Sequence, residues 1–276
     1  MRGARLLPLA ALALGLALSA CAGDDDGAGG AEGYDRVYRY PTGAGDTVVR
    51  LDLLGGVQPE GAEFLDLPAV LIAGDGSVYT PASVVTPYPG PLVPQMSVRT
   101  LTPAGIDAVL GVADASGLLA ETDAGSPPPP DAEAARVELH AQGDTFVHQA
   151  SVNETGAGDD PARTAVLGFV DVLRQLESVA GPGQLGLGQA YVPEEYRFRA
   201  VPVDPADFER NGMPPRVVPW PVDVGVGLAE ATECATADAD AVRDLFEAAD
   251  QLTLFLDGAQ TYQLFVAPRL PFDDGC

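Results

Sequence analysis

The run Arg136-Val-Glu-Leu-His-Ala-Gln-Gly-Asp-Thr-Phe-Val-His-Gln-Ala-Ser151 decides the fold class. Apolar and polar residues alternate on both sides of Gly143-Asp144, the pattern of two antiparallel strands joined by a tight turn. Strands over Arg136–Gln142 and Thr145–Ser151 are expected. Successive side chains point to opposite faces, so Val137, Leu139, Ala141, Phe146, His148 and Ala150 share an apolar face. Arg136, Glu138, His140, Gln142 and Gln149 share the wet one. With a two-residue Gly143-Asp144 loop, His140 faces Val147 and His148 faces Leu139. The two histidines of the chain then point to opposite sides and share neither a metal nor a proton. A three-residue loop would set them opposite each other and revive a metal site.

Outward from this hairpin the same signals recur. Thr47–Leu53 has strand composition. Ala69–Ala73 and Ser77–Thr80 form a hairpin around Gly74-Asp75-Gly76. A crossing with Pro81, Pro87, Pro89, Pro91 and Pro94 follows, where helix and central strand are both disfavoured. After a short strand at Ser97–Leu101, Thr102 reads as an N-cap, Pro103 as the first helical residue and Gly117 as the residue past the end. Ile106, Val109, Leu110 and Ala113 give that helix one apolar stripe. A second helix runs from Asp160-Pro161 to about Val179, with Val166, Phe169, Val170, Leu173 and Leu176 inward. Gly181–Gln189 has no charge and no periodicity and marks the best boundary. Beyond it come strands at Tyr196–Val203 and Arg216–Trp220, and a helix from about Asp238. A last hairpin pairs Leu252–Leu256 with Thr261–Ala267 around Asp257-Gly258. The expected class is α+β, with mainly antiparallel sheets, helices packed on one face and two helix-plus-hairpin units. Residues 46–180 form one domain and 190–276 a smaller one.

The first 45 residues read differently. Arg2 and Arg5 precede an apolar run, Leu6–Leu18, that is too short for a hydrocarbon core needing roughly 20 residues. Leu18-Ser19-Ala20-Cys21 closes it and resembles the lipobox of bacterial lipoproteins. That resemblance implies a signal peptide over 1–20 and a diacylated Cys21 as the first residue of the working protein. A diacyl anchor holds far more firmly than one acyl chain, each buried methylene contributing about 0.8 kcal/mol. Residues 21–45, with Asp24-Asp25-Asp26 and Gly-Ala-Gly-Gly, read as a flexible acidic tether. The expected location is the extracytoplasmic face of a cell membrane.

Composition narrows the partners. The formal charge is −25, every basic side chain is arginine, and the chain has no lysine. Such a balance repels nucleic acid and anionic headgroups. A GC-rich genome accounts for it, with adaptation to high salt as the second explanation. Without lysine there is no P-loop, Ser-Lys dyad or Schiff base. Neither a Gly-x-Ser-x-Gly elbow nor a His-Glu-x-x-His helix occurs. Cys21 being the lipid site, Cys234 and Cys276 remain as one disulfide in an oxidising compartment. That bridge would bring Asp238 and Asp240 near Asp273 and Asp274, a weak set of calcium ligands lacking the Asp-x-Asp-x-Asp-Gly loop. Favourable charge at a helix N-terminus explains Asp238 and Asp240 as well. No cofactor is expected.

Gly74–Tyr79, Tyr88-Pro-Gly-Pro-Leu92, Arg99–Leu110, Gly117-Leu-Leu119 and Tyr262–Cys276 together resemble uncharacterised secreted proteins and lipoproteins of actinobacteria and related GC-rich bacteria. The resemblance implies the architecture and the disulfide, and no activity. Two functions compete. One is a non-catalytic binding or interaction module acting through strand edges and the proline-rich stretches Pro87–Pro94 and Val217–Pro221. The other is an extracytoplasmic hydrolase using carboxylates. Lack of a nucleophile–base constellation favours the first.

Overall fold

The computed structural model describes residues 38–55, 61–82, 88–120, 132–152, 160–207, 212–273 and 275–276. They build an α+β protein with two mostly antiparallel sheets. The larger sheet contains β1 (Thr47–Leu54), β2 (Val70–Ala73), β3 (Ser77–Pro81), β4 (Met96–Thr100), β5 (Ala134–Ala141), β6 (Asp144–Ser151) and β7 (Gln189–Ala190). Its spatial order is β6-β5-β1-β2-β3-β4-β7. The smaller sheet contains β8 (Glu195–Val203), β9 (Arg216–Pro219), β10 (Ala235–Asp238), β11 (Thr253–Asp257) and β12 (Gln260–Pro268), ordered β10-β8-β12-β11-β9. The helices are α1 (Pro103–Ala115), α2 (Pro161–Arg174), α3 (Leu176–Ala180) and α4 (Ala239–Glu247).

The α1 punctuation is as the sequence predicts. Thr102 Oγ1 accepts the Gly105 N–H, Pro103 opens the helix, and Gly117 takes φ +78° beyond its end. Ile106, Val109 and Leu110 are buried, and with Phe169, Val170 and Leu173 of α2 they pack against Val49, Leu51, Ile72, Val137 and Leu139. The expected second helix is two pieces. Gln175 departs from helical geometry at φ −110°, ψ 33°, and its N–H reaches the carbonyls of both Asp171 and Val172.

Two turns differ by one residue from the expected ones. Ala141 pairs with Asp144, so the β5–β6 turn is Gln142-Gly143, at φ +59° and +93°. A type I′ turn needs positive φ at both central residues, and glycine suits the second of them better than aspartate does. Pairing therefore slides by two residues: His140 faces Thr145 rather than Val147, and His148 faces Val137 rather than Leu139. An even slide leaves every side chain on its expected face. Gln142 moves into the turn. The last hairpin likewise turns at Gly258-Ala259, because Asp257 pairs with Gln260 and only Gly258 has the positive φ of a type II′ turn.

Three pairings were not foreseen. β9 runs parallel to β11, β10 pairs with β8 directly before α4, and the uncharged stretch after Gly181 adds β7 to the larger sheet. Each sheet also receives cover from the other half of the chain. Leu270 and Phe272, which follow β12, pack on Leu71, Tyr79 and Met96 of the larger sheet. Gly61 lies against the Phe265 ring, and the Arg197 guanidinium sits 5.2 Å from the Phe64 ring centre on the smaller one. Leu92, from the proline-rich crossing, enters the core formed by Phe198, Trp220 and Phe246. Among the described residues no helix is long and apolar enough to cross a membrane.

Candidate functional site

Cys21 and Asp274 lie outside the described residues. Cys234 and Cys276 are disulfide-bonded, with Cα atoms 5.5 Å apart. Each described calcium candidate has a local use. Asp238 Oδ1 accepts the Asp240 N–H at 2.8 Å and so caps α4, Asp240 pairs with Arg243 at 3.8 Å, and Asp273 Oδ2 accepts the Leu270 N–H at 3.0 Å. Among the described residues no three His, Cys, Asp or Glu side chains converge as a metal site.

The histidines occupy opposite faces of β5–β6. His148 is 3% exposed and hydrogen-bonds through Nε2 to the Leu118 carbonyl at 2.8 Å. With a carbonyl as partner, Nε2 carries the proton and donates. His140 stands in a charged ladder on the wet face. Its Nε2 meets Glu138 Oε1 at 2.7 Å, and Nδ1 meets Thr145 Oγ1 at 3.2 Å. Arg136 pairs with Glu138 at 2.7 Å and Asp52 at 3.4 Å, and Arg50 pairs with Asp52 at 2.9 Å. Burial alone would raise the Glu138 carboxyl. Hydrogen bonds from His140 and Arg136, with the Arg136 charge, outweigh it and hold the carboxyl below its ordinary range. The ladder has the hydroxyl–imidazole–carboxylate order of a nucleophilic site. It stands on a sheet face, however, and contributes no side chain to the cleft described next.

That cleft, of about 690 Å³, opens where the edge of the larger sheet meets the smaller one. One wall is the chain from Gly188 to Pro193, which contains β7. A second is Pro91, Val93 and Pro94 of the proline-rich crossing. The third is α4, through Arg243, Phe246 and Glu247. Pro87 of the expected contact stretch lies outside the described residues; from Gly90 on, the Leu92 N–H donates to the Ala249 carbonyl at 3.2 Å and the Gln251 N–H to the Gly90 carbonyl at 3.0 Å. A second cavity of about 410 Å³ lies along the same proline segment, with Tyr88, Gln251 and Leu252 in its lining. The proline segment thus lies between two hollows.

Two tyrosines belong to the main cleft. The Tyr191 hydroxyl donates to the Arg269 carbonyl at 2.8 Å. Burial, then the nearby Tyr79, Asp273 and Glu194, push it up to about 12 against a smaller opposing pull from Arg269. Burial also raises Tyr196, whose ring meets Phe246 edge-on at 5.4 Å. Both phenols stay neutral at physiological pH, so the lining is apolar and proline-rich with one guanidinium and one carboxylate. Among the described residues lining it there is no histidine or cysteine to serve a hydroxyl nucleophile.

The other expected contact stretch, Val217–Pro221, is only partly available. Val217 is exposed, but Trp220 is 7% exposed, packs against Phe198, Phe246 and Phe255, and donates Nε1–H to the Val226 carbonyl at 2.8 Å. The sequence singled out the prolines of one wall but not the other two, which come from Gly188–Pro193 and from α4. No protein family, curated protein or solved structure matches the chain.

Proposed function

We propose that this chain is a lipid-anchored, extracytoplasmic binding module that recognises its partner in the proline-walled cleft. The observation that carries the reading is the cleft's chemistry: about 690 Å³, walled largely by proline, apolar and aromatic groups, with Arg243 and Glu247 of α4 as the charged side chains among its described lining. Pocket size and lining of this kind suit recognition of a small molecule or a side chain. Leu18–Cys21 supports the anchor, and the tether that follows it would carry the cleft clear of the membrane surface. The carboxylate-dependent hydrolase alternative needs a carboxyl raised to act as general acid, and Glu138, beside His140, is instead held low.

The test places a photo-crosslinking side chain at Val93, at Val192 and, as control, at the fully exposed Val222. In producing cells, Val93 and Val192 should yield the same discrete adduct and Val222 should not. Indistinguishable adducts from all three positions, or none from the cleft, would refute the reading. Replacing Cys21 by serine should move the protein from the membrane to the soluble fraction, and retention on the membrane would remove the anchor from it.

A further inference from the structure

We infer that the cleft takes its partner as an added strand, an extended and neutral-to-basic polypeptide segment paired along the free edge of β7. The inference rests on the binding-module reading and gives the partner a chemistry.

β7 ends the larger sheet and pairs with β4 through Ser97↔Ala190 and Val98↔Gln189. The next residue, Tyr191, donates its N–H to the Met96 carbonyl at 2.9 Å. In an antiparallel ladder, residues that bond across the pair alternate with residues whose N–H and C=O point away. Tyr191 and Gln189 therefore face β4, while Ala190 turns its backbone groups off the sheet. Ala190 also lines the cleft, which places the outward main-chain donor and acceptor of the free edge at its wall. Both β7 residues are exposed, and Leu187 and Val192 beside them are 94% and 63% exposed.

Natural edge strands are usually blunted by charge or proline. β9 is, with Pro214-Pro215 before it and Pro219 within it. β7 is only two residues long but carries neither charge nor proline itself, and from Gly181 to Pro193, where Pro182 and Pro193 flank it, there is no charged residue. The wall across the cleft is a helix, α4, and a groove between an edge strand and a helix is the geometry in which extended peptides add as strands. Backbone pairing supplies affinity there, and alternate side chains supply specificity.

Charge selects the sign of the segment. Arg243 is engaged, pairing with Asp240 at 3.8 Å and donating to the Pro193 carbonyl at 3.3 Å. Glu247, one turn on, is exposed and makes no ion pair among the described residues. A lysine or arginine on the incoming strand would complete it. The chain's −25 charge disfavours an acidic segment and a second copy of the same acidic protein alike.

Panning a random library of linear nine-residue peptides on the full chain tests this, with selected peptides then measured on two variants. Ala190→Pro removes the N–H aimed into the cleft and spares the β4 ladder, which does not use it. Glu247→Arg reverses the one unmatched charge. Selected peptides should carry Lys or Arg, bind at least tenfold more weakly to each variant, and slow amide exchange at Ala190. The thermal midpoint of Glu247→Arg should equal that of the parent. Peptides that bind Ala190→Pro and the parent equally, that are acidic, or that never emerge would overturn strand addition, as would self-association through this edge in sedimentation. Convergent crosslinks from Val93 and Val192 alongside any of those results would overturn strand addition and leave the binding module standing.

Discussion

Removing the bridge between Cys234 and Cys276 is the perturbation whose size follows most directly from the structure. The two residues are 42 apart in sequence. Closing a loop of that length lowers the entropy of the unfolded chain by an amount worth about 4 kcal/mol at 25 °C in the chain-entropy account. The folded state has other holds on the same segment: Arg269 hydrogen-bonds Glu195, Tyr191 bonds the Arg269 carbonyl, and Leu270 is buried. The Cys234→Ala/Cys276→Ala variant should therefore keep its native circular dichroism and lose stability through the unfolded state. With a urea dependence of about 3 kcal/mol per molar for a chain of this size, the midpoint should fall by about 1.3 M. Equilibrium urea unfolding of parent and variant, with the slope checked for constancy, measures it. A shift below about 0.4 M would refute the loop-entropy argument. A loss well above about 6 kcal/mol would refute its other half, that the native contacts survive.

Two further outcomes are expected. His148→Leu keeps the bulk of the buried ring but strands the Leu118 carbonyl, costing about 1–3 kcal/mol; a neutral result in thermal unfolding would contradict the hydrogen bond. Stability should also bend at both pH extremes. The folded-state carboxyl of Glu138 is lowered, so its contribution is present above its unfolded value and is lost as pH falls through the folded one. Glu138→Gln should flatten that acid limb below about pH 4.5. Tyr191 is raised to about 12, so its contribution holds below the unfolded value of 10.0 and drains away as pH climbs towards 12. Tyr191→Phe should soften the alkaline limb, and an unchanged limb in either variant would remove that residue from the account.

What could be read from the sequence was local. Thr102, Pro103 and Gly117 bracket α1 because caps and turn residues act over four or five positions. The faces of His140 and His148 followed from a period of two, which survived a misplaced turn because the slide was even. The turn itself was misjudged between neighbouring residues, since Gly143 could serve as first or second turn residue and only backbone twist decides. The parallel β9–β11 pair and the β7 edge had no such signal. They depend on which edges remain free once other strands have paired, and a stretch such as Gly186-Leu-Gly-Gln-Ala190 has no alternation to announce a strand. The cleft was hidden for the same reason. Its walls come from residues near 91, 190 and 243, and only the prolines of the first stood out.

Strand order places a timing constraint on the chain. β12 is the middle strand of the smaller sheet, yet it is made after the other described strands of that sheet, and the Leu270–Phe272 cover on the larger sheet follows it. At roughly 5–20 residues per second, several seconds separate synthesis of β8 from that of its partner β12. Throughout that interval β8 and the outer side of β2 and β3 have only each other's incomplete neighbours for company. A chain interrupted before residue 260 lacks the centre of the smaller sheet and part of the cover of the larger one. Truncated products should be recognised by proteases as unfolded, with no need for any signal beyond the missing centre strand.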